Sequence, residues 1–337
     1  MKKLINNPNN VVEDMIEGYL NAHSDYVKMI EGESRALITS RETTKNKVGI
    51  VIGGGSGHEP AFLGYVGDGM ADGVAIGNIF ASPPPGPIQA VTKAVDKGAG
   101  VLYIYGNYTG DIMNFSMAAE FSELEDDIEV ESVVVTDDVA SAPKEEKEKR
   151  RGIAGSFLVN KVASAYAAMG YDLQEVSRVA RKTNEQMRSM GVGLTPCYLP
   201  QTGKPSFEIS EDEMEIGLGH HGEPGVEKGK LESADKVTER LVNDILIDMP
   251  IENGQDVVVL VNGLGSTPAM ELYTVFNKTK HMLDKIGVNI YHSYIGDYVT
   301  SFEMGGCSIT LLVVDDELKR GIDYPVDCPM FVQKGRA

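Results

Sequence analysis

Cysteine is scarce in this chain. Cys197, Cys307 and Cys328 stand far apart with no CxxC pair. They fit a reducing compartment and neither a disulfide framework nor a zinc site. Positive charge is also short: 31 Lys and Arg face 50 Asp and Glu, for a net charge of −19. No basic stripe is present to neutralise phosphates, which argues against nucleic acid and against an anionic membrane surface. The acidity reads as solubility. No apolar run approaches a membrane span. Met1-Lys2-Lys3 leads into Leu4-Ile5 and then asparagines, without the apolar core of a signal peptide. The expected location is the cytoplasm. Nucleotide signatures are missing as well. No Gly-Lys-Ser/Thr phosphate loop occurs, and no Asp cluster is seen that would hold magnesium ions around a nucleotide.

What is there begins with Gly53-Gly54-Gly55-Ser56-Gly57-His58-Glu59-Pro60. The preceding Val48–Ile52 is short, apolar and β-branched, and reads as a buried strand. Three glycines then allow a sharp turn and close approach to a ligand, since no Cβ intrudes. A hydroxyl, an imidazole and a carboxylate follow at once. This is how an α/β protein builds a site at the carboxyl end of a sheet. It is not a good dinucleotide fingerprint, because Gly53-x-Gly55-x-x-His58 lacks the third small residue. Gly217-Leu218-Gly219-His220-His221-Gly222-Glu223-Pro224-Gly225 repeats the same grammar, and Asn107-Tyr108-Thr109-Gly110-Asp111 follows the strand-like Val101–Tyr105.

Length and pattern set the architecture. A chain of 337 residues with 42% hydrophobic and 24% charged content can bury a sizeable core and form two domains. The pattern predicts helices from Val11, over Ile88–Lys97 behind the rigid Pro83-Pro84-Pro85-Gly86-Pro87 loop, and over Ile112–Leu124, Ser156–Met169, Leu173–Met190, Ser233–Ile247 and Ala269–Leu283. Strands are expected at Arg35–Ser40, Glu131–Val135, Ser206–Ile209, Asp256–Val261, Val288–His292 and Ser308–Val313. Met70–Gly77 alternates glycine with small apolar residues, a sign of close packing beneath the site. Strands alternating with helices imply an α/β layer fold. We expect two α/β domains, 1–185 and 186–337, each a sheet layered with helices, with the ligand site at glycine-rich strand-to-helix turns. The run Lys144–Arg151 reads as solvated surface, and no repeat of fixed period is seen.

Together GGGSGHEP, NYTGD with the following MNF, RRGIAG at Arg150–Gly155, GHHGEPG and VNGLGSTPAMELY at Val261–Tyr273 resemble the K subunit of dihydroxyacetone kinase. The likeness runs from Asn6 to about Leu312, with its motifs in the family's order. It implies that His221, immediately before Gly-Glu-Pro, is the residue that binds a ketone covalently. A neutral imidazole nitrogen adding to a ketone has no second proton to lose, so the product stops at a hemiaminal. Such a site selects carbonyl compounds over glycerol. The resemblance further implies Asp111 as general base for phosphorylation of a primary alcohol. An Asp after glycine is otherwise most often a helix N-cap. His58 would hydrogen-bond the substrate or the hemiaminal oxygen, and its alternative is a solvated turn histidine. Gly54, Gly55, Ser56 and Gly57 would hold the hydroxyl-bearing end of the ligand. No metal ligand is expected in this chain. The nucleotide, ADP or ATP with magnesium, is expected on a separate L subunit, with a phosphotransferase-system M subunit recharging ADP in one branch. A homodimer is also implied.

One position departs from the family. Lys commonly precedes Asn-Tyr-Thr-Gly-Asp, and here Gly106 stands in its place. A side chain with three donors is absent from the site edge. The departure points to a ketose larger than dihydroxyacetone, such as erythrulose, or to a non-catalytic ketose sensor that activates a transcription factor.

Overall fold

The apolar run before the first glycine motif forms a central strand. In the computed structural model, which describes residues 2–336, the chain divides into two compact units. The first comprises Met1–Val135, Ser156–Thr183 and Leu318–Ala337, and the second Thr136–Gly155 and Asn184–Glu317. The units are thus discontinuous, unlike the single division at 185/186 expected from the sequence. Hydrogen bonds give the reason. In the second unit Asp137 accepts the Ile153 and Gly155 N–H groups at 2.8 and 2.9 Å, and its backbone carbonyl accepts Ser189 N–H at 2.8 Å. In the first, buried Lys161 donates to the Tyr324 carbonyl at 3.0 Å.

The first unit opens with α1 (Val11–Ala22), β1 (Val27–Ile30), β2 (Glu33–Thr39), β3 (Gly49–Ser56) and β4 (Gly73–Ile79). It continues through α2 (Pro85–Val95), β5 (Val101–Gly106), α3 (Thr109–Asp126) and β6 (Val130–Val135), then α4 (Ser156–Ala168) and α5 (Leu173–Glu185). Strand order is β1-β2-β4-β3-β5-β6. β3 pairs in parallel with β4 on one side and β5 on the other, so it is buried on both faces and reads as a continuous apolar run. Val51, Ala75, Tyr103, Ile88, Val91 and Phe115 join the sheet to α2 and α3 in one core cluster. α2 starts three residues earlier than expected. Pro85 occupies its first position, where a missing N–H costs nothing and the fixed φ suits a helix.

The second unit holds β7 (Met187–Thr195), β8 (Glu213–Ile216), β9 (Glu227–Lys230), α6 (Ala234–Asp248), β10 (Asp256–Gly263), α7 (Ala269–Lys285), β11 (Asn289–Gly296) and β12 (Gly305–Val314). Its order is β11-β10-β12-β7-β8-β9, with β10 parallel to β11 and antiparallel to β12. α8 (Asp316–Asp323) leads on to the hairpin β13 (Val326–Cys328) and β14 (Phe331–Gln333).

Two sequence expectations give way here. The helix predicted over Leu173–Met190 ends at Glu185, and Met187–Thr195 is a strand. Val176, Ala180, Thr183, Met187 and Met190 are all buried, so helical spacing runs on into the strand. Pairing of β7 with β12 from Met187 to Thr195 decides the conformation. The strand expected at Ser206–Ile209 is irregular, and the strand in that region is β8. Among the described residues no helix is long and apolar enough to cross a membrane.

Candidate functional site

In the first unit the two motif loops leave the sheet at one place. The β3–β5 pairing ends at Ile52↔Ile104. β3 continues along β4 to Ser56↔Ile79, and β5 continues along β6 to Gly106↔Val135. The strands therefore part beyond Ile52 and Ile104. β4 lies on one side of β3 and β5 on the other, so the gap is a topological switch point at the carboxyl ends, where α/β sheets bind ligands. GGGSGHEP and NYTGD both emerge there.

The glycines do a different job from the one expected. Gly53, Gly54 and Gly55 do not turn: they lie within β3, and only Gly57 has positive φ, at +101°. What they provide is close packing. A Cβ on Gly53 would meet the Ala75 carbonyl oxygen at 2.5 Å, one on Gly54 the Phe62 ring at 2.3 Å, and one on Gly55 the backbone of Ala81 at 2.6 Å. Gly55 sits where the β3–β4 register shifts. The Ser56 hydroxyl donates to the Gly77 carbonyl at 2.8 Å, and Gly57 N–H is shared by both Glu59 oxygens at 3.0 and 3.1 Å. These two donors therefore serve the loop itself. Burial raises the Glu59 carboxyl above its usual range despite that N–H.

His58 is not a solvated turn residue. It is 1% exposed and stacks on Phe80, with centroids 5.0 Å apart and planes at 25°. Phe80 holds a left-handed φ of +52°, a strained conformation for a bulky residue, anchored by its N–H to the Ser56 carbonyl at 3.0 Å. Sequence reading missed Phe80, which carries no motif of its own. Asp111 is not the N-cap of α3 but its third residue, buried in the first turn. The helix N-terminus favours an anion at that position. Gly106 ends β5, half-buried and without a side chain, next to these loops.

In the second unit GHHGEPG is not a strand-to-helix turn. β8 and β9 pair from Glu213↔Lys230 to Ile216↔Glu227, so the motif closes a long hairpin. NYTGD and VNGLGST do occupy strand-to-helix turns, while GGGSGHEP leads from β3 towards the parallel strand β4. Within the hairpin loop His221 Nδ1 lies 2.8 Å from Glu223 Oε1, and His221 N–H donates to Glu223 Oε2 at 2.9 Å. Burial pushes the Glu223 carboxyl up, but its bonds to His221 outweigh this and hold it down at about 2. A carboxylate only accepts, so Nδ1 carries the ring proton and Nε2 the lone pair of the neutral imidazole. His220 is buried and sets its ring edge-on to that of His221, centroids 4.6 Å apart. Arg151 of RRGIAG supports the loop by donating to the Gly217 carbonyl at 3.0 Å while paired with buried Asp138. Sequence reading passed over Glu223 as a partner. Its signal was a carboxylate two residues after the histidine inside one glycine-bounded loop.

The chain matches the Dak1 domain over residues 17–330. It belongs to the Dak1 family. This bears out the resemblance to dihydroxyacetone kinase K subunits. The dihydroxyacetone-binding subunit DhaK of PTS-dependent dihydroxyacetone kinase 2 from Listeria innocua serovar 6a is 46% identical over 331 residues, covering 98% of this Dak1 chain and 99% of that one. D-erythrulose kinase of Mycolicibacterium smegmatis is 44% identical over 337 residues, all of this chain but 57% of that enzyme. Among solved structures, the dihydroxyacetone kinase operon co-activator Dha-DhaQ superposes with a TM-score of 0.88 at 32% identity, over 96% of this Dak1 chain and 99% of that one.

Proposed function

We propose that this Dak1 chain is the ketose-binding subunit of a dihydroxyacetone-type kinase and holds its ketone as a hemiaminal on His221. The observation that carries the reading is the Glu223 carboxylate against His221 Nδ1, at 2.8 Å. It keeps Nε2 as the nucleophile and stabilises the positive charge that the ring gains on attack. As the Nε2–carbon bond forms, the carbonyl π pair moves to oxygen, which takes up a proton. The ring then releases its Nδ1 proton. The net change adds an imidazole N–H across the C=O bond.

In this reading Asp111 accepts the proton of the primary hydroxyl as that oxygen attacks phosphorus. His58 hydrogen-bonds the substrate. The phosphoryl donor, ADP or ATP with magnesium, is bound by a separate L subunit, and the chain works as a homodimer. The Listeria relative is named a dihydroxyacetone-binding subunit, which supports a donor held on another subunit. The PTS-dependent name of the Listeria relative favours a bound ADP recharged by an M subunit.

The test is intact-protein mass spectrometry after incubation with dihydroxyacetone or erythrulose. One ketose mass is expected on the wild type and none on His221→Ala, and an unchanged adduct in that variant would move the nucleophile elsewhere. Likeness to the co-activator Dha-DhaQ, with glycine at position 106, supports a second reading as a ketose sensor. Adduct formation without phosphorylation in a coupled assay with L subunit would favour it.

A further inference from the structure

The motif VNGLGST has no part in the reading above. In the second unit it connects β10 to α7 and spends its polar atoms on the segment 298–306. Asn262, 1% exposed, accepts the Tyr298 and Val299 N–H groups at 2.9 Å each and donates to the Val299 carbonyl at 2.8 Å. Two N–H donors converging on one side-chain atom require oxygen there, so the amide orientation follows from its partners. The Leu264 carbonyl accepts Ser301 N–H at 2.9 Å. Thr267 Oγ1 accepts Gly306 N–H at 2.8 Å and donates to the Gly306 carbonyl at 2.7 Å. Gly265, at φ +120°, leaves no space for a side chain, because a Cβ there would fall 1.7 Å from the Phe302 carbonyl oxygen. The motif and the segment thus form one rigid platform, on which Ser301 is fully buried.

From this platform the Ser301 hydroxyl donates to the carbonyl of His220. That carbonyl and the His221 N–H belong to the same peptide group, and the N–H is held by Glu223 Oε2 at 2.9 Å. The peptide plane before His221 is therefore gripped at both ends, by a residue of its own loop and by one 81 positions away. Because the group is planar, holding its oxygen and its hydrogen fixes its orientation and the start of the His221 side chain.

We infer that Ser301, mounted on Asn262 and the VNGLGST platform, is a positioning residue for the His221 nucleophile. Glu223 sets the tautomer and aims the ring, and Ser301 sets the backbone from which the ring projects. The inference rests on the proposed role of His221. Misplacing a nucleophile by about 1 Å costs on the order of 10²-fold in rate, so a grip on the peptide acts directly on adduct formation.

The experiment uses the full chain and dihydroxyacetone labelled with ¹³C at its carbonyl carbon, titrated and followed by NMR. Loss of the ketone signal to a tetrahedral carbon reports the hemiaminal. A wild type without that signal, or a His221→Ala variant that keeps it, overturns the proposed function and this inference together. Given the His221-dependent signal, Ser301→Ala is expected to raise the half-saturating ketone concentration about ten-fold or more, as the loss of one buried hydrogen bond at the site. Ser301→Thr, which restores a hydroxyl, should recover part of it. Ser301→Ala with wild-type binding overturns the inference, as does a Thr variant with wild-type thermal midpoint that binds no better than Ala. If Ser301→Ala does not fold, Asn262→Asp decides. It keeps the acceptor for Tyr298 and Val299 but loses the donor to the Val299 carbonyl and the longer one to the Ser308 hydroxyl. Weaker adduct supports the inference and unchanged adduct overturns it.

Discussion

Glu223 holds His221 twice. One carboxylate oxygen takes the ring Nδ1 at 2.8 Å and the other the backbone N–H at 2.9 Å. The ring cannot swing without losing the first contact, nor the chain twist without losing the second. Nothing about a glutamate in a turn requires this; the hairpin between β8 and β9 brings it about.

Replacing Glu223 by Gln keeps the size and removes the charge. Losing a charge-assisted hydrogen bond costs about 1.5–3 kcal/mol, or roughly ten- to a hundredfold in ketone affinity. Titrating adduct formation in Glu223→Gln should show that weakening, and equal affinity would sink the orienting role. The pH window follows from the carboxyl held at about 2. The unfolded value is about 4.3, so the stabilisation is complete above that pH and is lost as pH falls towards 2. Adduct formation should therefore not sense the ionisation of Glu223 at neutral pH.

Asp111 at the first turn of α3 should matter for transfer and not for capture. In Asp111→Asn the ketone adduct is expected to persist while phosphorylation, assayed with saturating L subunit, drops on the order of 10²–10⁴-fold. Wild-type turnover in that variant would exclude Asp111 as the base.

Gly106 should shift ligand preference. In place of the Lys that the resemblance leads one to expect, the end of β5 carries no side chain, so a donor is missing there. A four-carbon ketose brings one more hydroxyl of its own to replace that donor, and a relative 44% identical is a D-erythrulose kinase. Competition between dihydroxyacetone and erythrulose should favour erythrulose in the wild type and move towards dihydroxyacetone in Gly106→Lys. If the wild type prefers dihydroxyacetone and the variant behaves identically, position 106 does not select.

Lys161 offers a test of stability. It is fully buried in α4, with Nζ donating to the Tyr324 carbonyl at 3.0 Å. Burial pushes its ammonium down to about 7. Between about 7 and about 10.4 the unfolded chain holds a proton there that the folded chain has released, so this residue makes stability rise with pH across that window. The penalty for burying the charge is complete below about 7. Urea denaturation of wild type and Lys161→Met at several pH values should show the wild type gaining on the variant by up to about 1.4 kcal/mol per pH unit. A constant difference from pH 7 to 10 would show that Lys161 stays charged when folded.

Much of this protein was determined locally. Val48–Ile52, Val101–Tyr105 and Val257–Val261 are apolar and rich in β-branched residues because their strands are buried on both faces, and that composition is readable without a structure. Helices such as α6 and α7 announce themselves by spacing. The family motifs placed His58 and His221 in glycine-bounded loops from residue order alone, while Asp111 lies in the first turn of α3. Tertiary structure decided the rest. Met187–Thr195 has a helical period and is a strand because β12 and β8 pair with it. Gly53, Gly54 and Gly55 look like a turn and instead let β3 lie flat against Ala75, Phe62 and Phe80–Ala81. Segments 136–155 and 318–337 join units that their sequence neighbours leave. The grip of Ser301 on the His220 carbonyl spans 81 residues. A hydrogen bond between such distant positions imposes no period, composition or motif on the chain between them, and only folding brings its two ends together.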